Sequence, residues 1–305
     1  MINRFNVALI GYGYWGKIIS KYLIANNTIN LKWICTKSTK PKLPNNLIIC
    51  SDLSKILDDE SVDIIFIITP LSTHFDIAYK ALKFNKNVFI EKPATNSFAQ
   101  TKKLIELSNK IDKKLITDFP YVYSDSINSL RSIISKNKII HKVEINFSQF
   151  GRFDRGDVID LLGAHALSII HHLFDLKRIY FKKNKLSKII SKKFPESREF
   201  NFTSNKIEFD IKLNLLSPNK TRLMTIYGSE NIIQWSPDSE YSVSYCILKN
   251  FSKNGVIKHK YDEANSLINV IKYTIDVLRN KTQTNNELSL KVQKSIEQIK
   301  KTIIK

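Results

Sequence analysis

Asn6-Val7-Ala8-Leu9-Ile10-Gly11-Tyr12-Gly13-Tyr14-Trp15-Gly16 runs from an apolar strand-like segment into three glycines spaced G-x-G-x-x-G. Tyr14 to Ala25 continues with Ile18, Ile19, Tyr22 and Leu23 at the spacing of one helical face. A strand, a glycine turn and a helix in that order form the context in which this spacing binds a dinucleotide. Gly11 allows the tight turn, Gly13 lets backbone approach a pyrophosphate, and Gly16 lets the helix pack on the strand. The helix N-terminus adds free N–H groups and partial positive charge. Tyr12, Tyr14 and Trp15 complete the loop and are expected to contact the cofactor with the glycines. Three of the chain's eight glycines fall at these positions, so chance spacing explains them poorly.

Outward from this loop, short apolar runs alternate with helical patterns through the first 120 residues. Leu31–Cys35, Leu47–Cys50, Asp63–Thr69, Asn87–Ile90 and Leu115–Thr117 read as strands. Asp63–Thr69 is apolar on both faces, as a central parallel strand must be. Between them lie a short helix at Asp52–Leu57, a helix at Ser72–Phe84 opened by Ser72 or Thr73, and one capped by Ser97 running to Lys110. This alternation predicts parallel β-α-β units with helices on both faces: an α/β, doubly wound Rossmann domain over residues 1–119. The second strand ends Cys35-Thr36-Lys37-Ser38, with Lys40 beyond, and no acid. An NAD-selective site places Asp or Glu here; hydroxyls and cations favour a 2′-phosphate, so NADP is expected ahead of NAD.

After Phe119 the pattern changes. Lys142–Gln149, Lys206–Leu215, Arg222–Tyr227, Asn231–Trp235 and Tyr241–Leu248 alternate at period two without intervening helices. That predicts an α+β domain with an open, mainly antiparallel sheet over residues 120–305. Val158–Phe174 is apolar and helical. Helices at 264–279 and 287–303 close the chain, the last with a stripe of Val292, Ile296, Ile299 and Ile303.

Composition bounds the rest. A chain of 305 residues, 43% hydrophobic and 25% charged, suits a globular protein of two modest domains. No apolar run approaches bilayer length, and the N-terminus shows no signal-peptide pattern, so the cytoplasm is expected and a membrane is not. Cys35, Cys50 and Cys246 fit no zinc or disulfide framework and read as reduced thiols; no metal is expected. The net charge of +20 is Lys-rich and dispersed, so nucleic acid is not an expected partner.

Further fragments join the glycine loop: Thr69-Pro70, His74 opening a helix, and Asn87-Val88-Phe89-Ile90-Glu91-Lys92-Pro93. Together they resemble the Gfo/Idh/MocA oxidoreductases, in which E-K-P follows the fifth strand. The likeness extends through Asp118-Phe119-Pro120-Tyr121-Val122-Tyr123 into the open sheet. Phe150-Gly151-Arg152-Phe153 and Ser217-Pro218-Asn219-Lys220 are closest to members acting on sugars or nucleotide-linked sugars. The resemblance implies hydride transfer between nicotinamide and a sugar hydroxyl or carbonyl. It implies Lys92 near the nicotinamide ring and the reacting hydroxyl, with Glu91, Thr69, Pro70 and His74 on the cofactor. A homodimer or homotetramer pairing through the sheet is also implied.

Members carry an Asp four residues before a His on one helical face. His165 matches the His, and is the candidate acid–base partner of Lys92. Asp160 lies five before it, about 140° around a regular helix. Either the helix starts irregularly and still presents Asp160, or the acid is lost. His171 and His172 read as structural. Tyr121, Tyr123, Arg152 and Asp157 are candidates for the substrate pocket, alongside Lys92 and His165. The rival readings are a dinucleotide-binding regulator without turnover and a degenerate enzyme of the same fold.

Overall fold

Strand β1 (Phe5–Ile10) is buried from Val7 onward and pairs in parallel with β2 (Ile29–Cys35) on one side and β4 (Ile64–Ile67) on the other. The computed structural model describes residues 4–37, 47–136, 139–237, 245–262 and 265–302. The expectations for Ser38, Lys40, residues 241–244, Ala264 and Ile303 lie outside the described residues.

With β3 (Ile48–Cys50), β5 (Asn87–Glu91) and β6 (Leu115–Asp118), the first sheet runs β3-β2-β1-β4-β5-β6, every pair parallel. The order reverses between β1 and β4, and that switch point opens a crevice at the carboxyl ends of the strands. All four residues of β4 are buried, and Phe66 stacks on Phe89 at 4.3 Å. Helices α1 (Tyr14–Ala25), α2 (Ser54–Leu57), α3 (Leu71–Lys83) and α4 (Phe98–Lys110) connect the strands. Ser97 caps α4 as expected, its hydroxyl accepting from the Gln100 N–H at 3.2 Å. Helix α3 instead starts after Pro70, one residue before Ser72. The Thr73 hydroxyl reaches Thr69 Oγ1 and the Pro70 carbonyl at 2.7 and 2.8 Å.

The chain divides into two compact units, Met1–Asp118 with Leu267–Gln293, and Phe119–Ser266 with Lys294–Lys305. The boundary at residue 119 puts 267–293 in the second domain, with the closing helices packing back towards the first; the structure groups 267–293 with the first unit. The cause is specific. The Asn285 side chain accepts from the Thr117 N–H at 3.0 Å and donates to the Thr117 carbonyl at 2.7 Å, and Ser289 meets the Thr117 hydroxyl at 2.9 Å. One amide thus satisfies the backbone of β6, the last strand of its sheet.

The second unit is built on eight strands: β7 (Ile140–Phe150), β8 (Tyr180–Ser187), β9 (Ser197–Ser204), β10 (Ile207–Asn214), β11 (Leu216–Gly228), β12 (Asn231–Pro237), β13 (Tyr245–Ser252) and β14 (Gly255–Asp262). Their order is β14-β13-β12-β11-β7-β10-β9-β8. Only β7 and β10 run parallel; the other pairs are antiparallel. Alternate residues are buried, as period two requires: Val143, Ile145 and Phe147 on β7, and Phe209, Ile211 and Leu213 on β10. Helices α5 (Asp125–Ser135) and α6 (Ala164–Leu173) belong to this unit, and α7 (Asn265–Leu278) and α8 (Asn286–Lys301) end the chain. Among the described residues no helix is long and apolar enough to cross a membrane.

Candidate active site

The glycine loop has the shape a pyrophosphate needs. Gly11 sits at φ +96°, and a Cβ there would lie 2.3 Å from the Ile68 carbonyl oxygen. A Cβ on Gly16 would lie 2.1 Å from the Gly11 oxygen. These two glycines hold the turn against β4 and α1. Gly13 differs: nothing lies within 4 Å of the position its Cβ would take. That space is where backbone can be approached by a ligand, at the start of α1, whose first turn carries no acid. Exposed Tyr14, half-buried Tyr12 and half-buried Trp15 surround it. The residues present therefore fit a dinucleotide phosphate.

At the end of β2, Cys35 and Cys50 are register neighbours and free thiols. Burial and then Cys50 push the Cys35 thiol up to about 12, so it stays protonated. Thr36 donates its N–H to the Cys50 carbonyl at 2.9 Å, and Lys37 is exposed.

Glu91-Lys92-Pro93 leaves β5 at the carboxyl end of the same sheet, with a cis Lys92–Pro93 peptide and Lys92 half-buried. His74 was expected on the cofactor. It is instead 2% exposed, with Nδ1 against the Pro93 carbonyl at 3.2 Å and Nε2 against the Thr69 carbonyl at 2.9 Å. Its ring clamps the β4–α3 turn to the E-K-P turn, so it shapes the loops that Thr69 and Lys92 stand on. Burial lowers its pKa.

Asp118 is the residue sequence reasoning missed here. It ends β6, is fully buried, and is the register neighbour of Glu91. Burial and then the charge of Glu91 push its carboxyl well above the usual range, while Lys92 and the Trp15 indole pull the other way. A neutral Asp118 thus underlies the loop that carries Lys92. The available signal was an acid closing the apolar run Leu115-Ile116-Thr117, one strand from Glu91 in a sheet of this order.

In the second unit, the segment before His165 is not α-helical. Ile159–Gly163 forms a π turn, in which the Ala164 N–H donates to the Ile159 carbonyl five residues back. This i→i+5 bond makes the turn wider than an α-helical one just before His165. The start of this helix is therefore irregular at Asp160. Asp160 is 7% exposed, and both its oxygens receive Lys300 Nζ at 2.7 Å. His165 is half-buried, with the Tyr121 ring edge-on at 5.1 Å. Asp157 is corrected: it is buried and takes Arg198 Nε and Nη2 at 2.9 and 2.6 Å while capping the Ile159 N–H at 3.0 Å. It is a structural anchor of the π turn. Arg152 is exposed, at φ +65°.

His171 Nε2 meets the Ser295 hydroxyl at 2.9 Å. His172 is half-buried, and burial followed by Arg131 pushes its pKa to about 4. An unfolded histidine takes its proton near pH 6.5; this one waits until about pH 4. Between those values the unfolded state binds more protons. Stability is therefore fully present above pH 6.5 and falls as the pH drops towards 4, by at most about 1.4 kcal/mol per pH unit for one ring. His74 acts in the same direction. Thermal unfolding followed by circular dichroism in pH steps should show this decline, and His172→Gln should flatten it. An unchanged slope in that variant would assign the loss elsewhere.

Among the described residues, no group of three His, Cys, Asp or Glu is placed to hold a metal ion. Residues 5–119 match the model of the Gfo/Idh/MocA oxidoreductase family, NAD-binding Rossmann fold. The oxidoreductase YdgJ of Escherichia coli K12 is 27% identical over 156 residues, covering 50% of this chain and 45% of that protein. The inositol 2-dehydrogenase of Salmonella typhimurium LT2 is 27% identical over 143 residues, covering 44% and 43%. The chain thus spans a little under half the length of these curated relatives. Among solved structures, KijD10, a 3-ketoreductase from Actinomadura kijaniata in complex with TDP-benzene and NADP, shares the fold with a TM-score of 0.85. The identity is 14%, over 98% of both chains. Residues 5–119 thus match the Rossmann domain of the Gfo/Idh/MocA oxidoreductases, and the fold of a solved 3-ketoreductase is shared along nearly the whole chain.

Proposed function

We propose that the protein transfers a hydride between a nicotinamide dinucleotide and a hydroxyl-bearing carbon of a sugar or nucleotide-linked sugar. The observation that carries this reading is the Gly11–Gly16 turn at the switch point, with Lys92 leaving β5 at the same edge of the sheet. The substrate class draws support from relatives whose names are inositol 2-dehydrogenase and 3-ketoreductase. When bound, the dinucleotide supplies the redox chemistry at nicotinamide C4.

The chain's own residues do the rest. Backbone N–H groups at Gly13 and the start of α1 hold the pyrophosphate. Thr69, Pro70 and Glu91 line the cofactor, and Thr36, Lys37 and Ser38 take a 2′-phosphate, which favours NADP. In the oxidative direction Lys92, as the amine, accepts the hydroxyl proton. The C–H electron pair leaves the carbinol carbon with its hydrogen, and a carbonyl remains. In the reductive direction the ammonium returns that proton. His165 is the second acid–base group, with Asp160 the acid that precedes it, and Tyr121 and Arg152 hold the substrate.

The test is to identify any nucleotide released on denaturation, then titrate the emptied protein with NADP(H) and NAD(H). NADP(H) should bind at least about tenfold more tightly, a difference of about 1.4 kcal/mol. A preference for NAD(H) would sink the 2′-phosphate assignment and keep the enzyme. Binding of neither would remove the oxidoreductase reading. A second reading, a dinucleotide-binding protein without turnover, is favoured by one observation: Lys300 engages both oxygens of Asp160. It predicts that Lys92→Ala has no turnover to lose.

A further inference from the structure

The second unit holds a cation where its sheet pattern calls for an apolar side chain. Along β11, Arg222, Met224 and Ile226 are buried on one face, opposite Phe147, Ile145 and Val143 of β7. Arg222 ends that ladder at 7% exposure. Its guanidinium lies 5.3 Å from the Phe147 ring centroid and donates to the Ser148 and Thr221 carbonyls at 2.8 Å and to Gln149 Oε1 at 2.6 Å. The Tyr121 hydroxyl is beside it. Every one of these partners is neutral, and Arg222 Nε is buried without one. Arg198, equally buried in the same unit, is instead paired with Asp157 at 2.6 Å. A buried cation carries a desolvation penalty, which these neutral partners offset in part but no counter-ion does.

Two more cations converge on it. Beyond β7 the chain turns through Gly151 and Arg152 at φ +100° and +65°. Left-handed backbone at an arginine is strain that a turn could avoid with another glycine. The register of β11 against β7 slips between Leu216 and Thr221, which folds out Ser217-Pro218-Asn219-Lys220; Ser148 Oγ holds the Asn219 carbonyl at 3.4 Å. Lys220 is exposed overall, yet its ammonium is held below the usual lysine pKa, first by burial and then by Arg222 and Arg152. Among the described residues, no carboxylate forms an ion pair with Arg152, Lys220 or Arg222.

Building on the hydride-transfer reading, we propose that Arg152, Lys220 and Arg222 bind the phosphate of a phosphorylated sugar, as a monoester or as the pyrophosphate of a nucleotide-linked sugar. Three cations match a group carrying about two negative charges. A neutral polyol offers no charge, and one carboxylate leaves two cations unbalanced. Tyr121 touches both Arg222 and the His165 ring, so the anion is tethered one side chain from that histidine.

The test is calorimetric titration of the full chain saturated with NADP⁺, which fills the phosphate site of the glycine loop. Glucose 1-phosphate, UDP and myo-inositol are the probes. At least one phosphorylated probe should bind, more weakly at higher salt. The double substitution Arg152→Ala/Lys220→Ala should weaken it at least about tenfold with Tm unchanged, since both residues are exposed. Arg222→Gln should weaken binding as much, and because Arg222 is buried its Tm is measured alongside. Tighter UDP binding assigns the pyrophosphate, and tighter glucose 1-phosphate binding the monoester. The proposal is overturned if neither phosphate binds, if the double variant binds them equally well, or if only myo-inositol binds. If NADP⁺ itself fails to bind, the hydride-transfer reading falls. The phosphate titrations of parent and double variant then still report on the cluster.

Discussion

Replacing Lys92 by alanine should lower kcat by about 10²- to 10⁴-fold, the usual range for a positioned proton donor, and change the dinucleotide Kd by less than about threefold. The expectation rests on where Lys92 stands. It leaves β5 at the ligand-binding edge of the sheet, half-buried, on a turn clamped by His74 and underlain by Asp118. None of the phosphate-cradling backbone depends on it. Steady-state rates and a fluorescence titration of NADP(H) would separate the two effects. Lys92→Arg should not restore the rate, because a guanidinium keeps its proton at any accessible pH. Loss of cofactor affinity without loss of kcat would make Lys92 a binding group. Full activity in Lys92→Ala would sink its role in proton transfer.

Gly13→Val should weaken dinucleotide binding by about 100-fold or more and leave the unfolding free energy within about 0.5 kcal/mol. The space around the missing Cβ is open, so the folded chain accepts the side chain without displacement. A pyrophosphate at the start of α1 would not, because the valine occupies its approach to the backbone. Gly11 makes the contrast. There a Cβ meets the Ile68 carbonyl at 2.3 Å, so fold and binding would suffer together. Thermal unfolding without ligand and titration with NADP(H) check both halves. Undiminished affinity in Gly13→Val would show that the pyrophosphate does not use this loop.

The parallel sheet was legible because its signals are local: an apolar run, a glycine turn and an amphipathic helix lie within thirty residues of one another. The edges of the second sheet were not. β8 and β14 are its outermost strands, and β14 is exposed at nearly every position, so no alternation marks it. β9 does alternate, burying Arg198, Phe200, Phe202 and Ser204, but its polar residues hid the period. Helix α5 went unread although Ile127 and Leu130 face the core three residues apart. At the site, Lys92 and His165 stand out because their neighbours in sequence carry the pattern. Asp118 and Arg222 do not, because their meaning lies across strands. Asp118 gains its partner Glu91 only through the pairing of β5 with β6, and Arg222 its place under Phe147 only through the register of β11 on β7.

The π turn bears on how such chains are recognised. In a regular α-helix, positions four and five places before a histidine stand about 100° apart around the axis. The wide turn at Ile159–Gly163 confines the irregularity to the stretch before α6, which is itself regular. A pattern that demands an acid four places before the histidine passes over this chain, whereas one that counts hydrogen-bonded turns would find it.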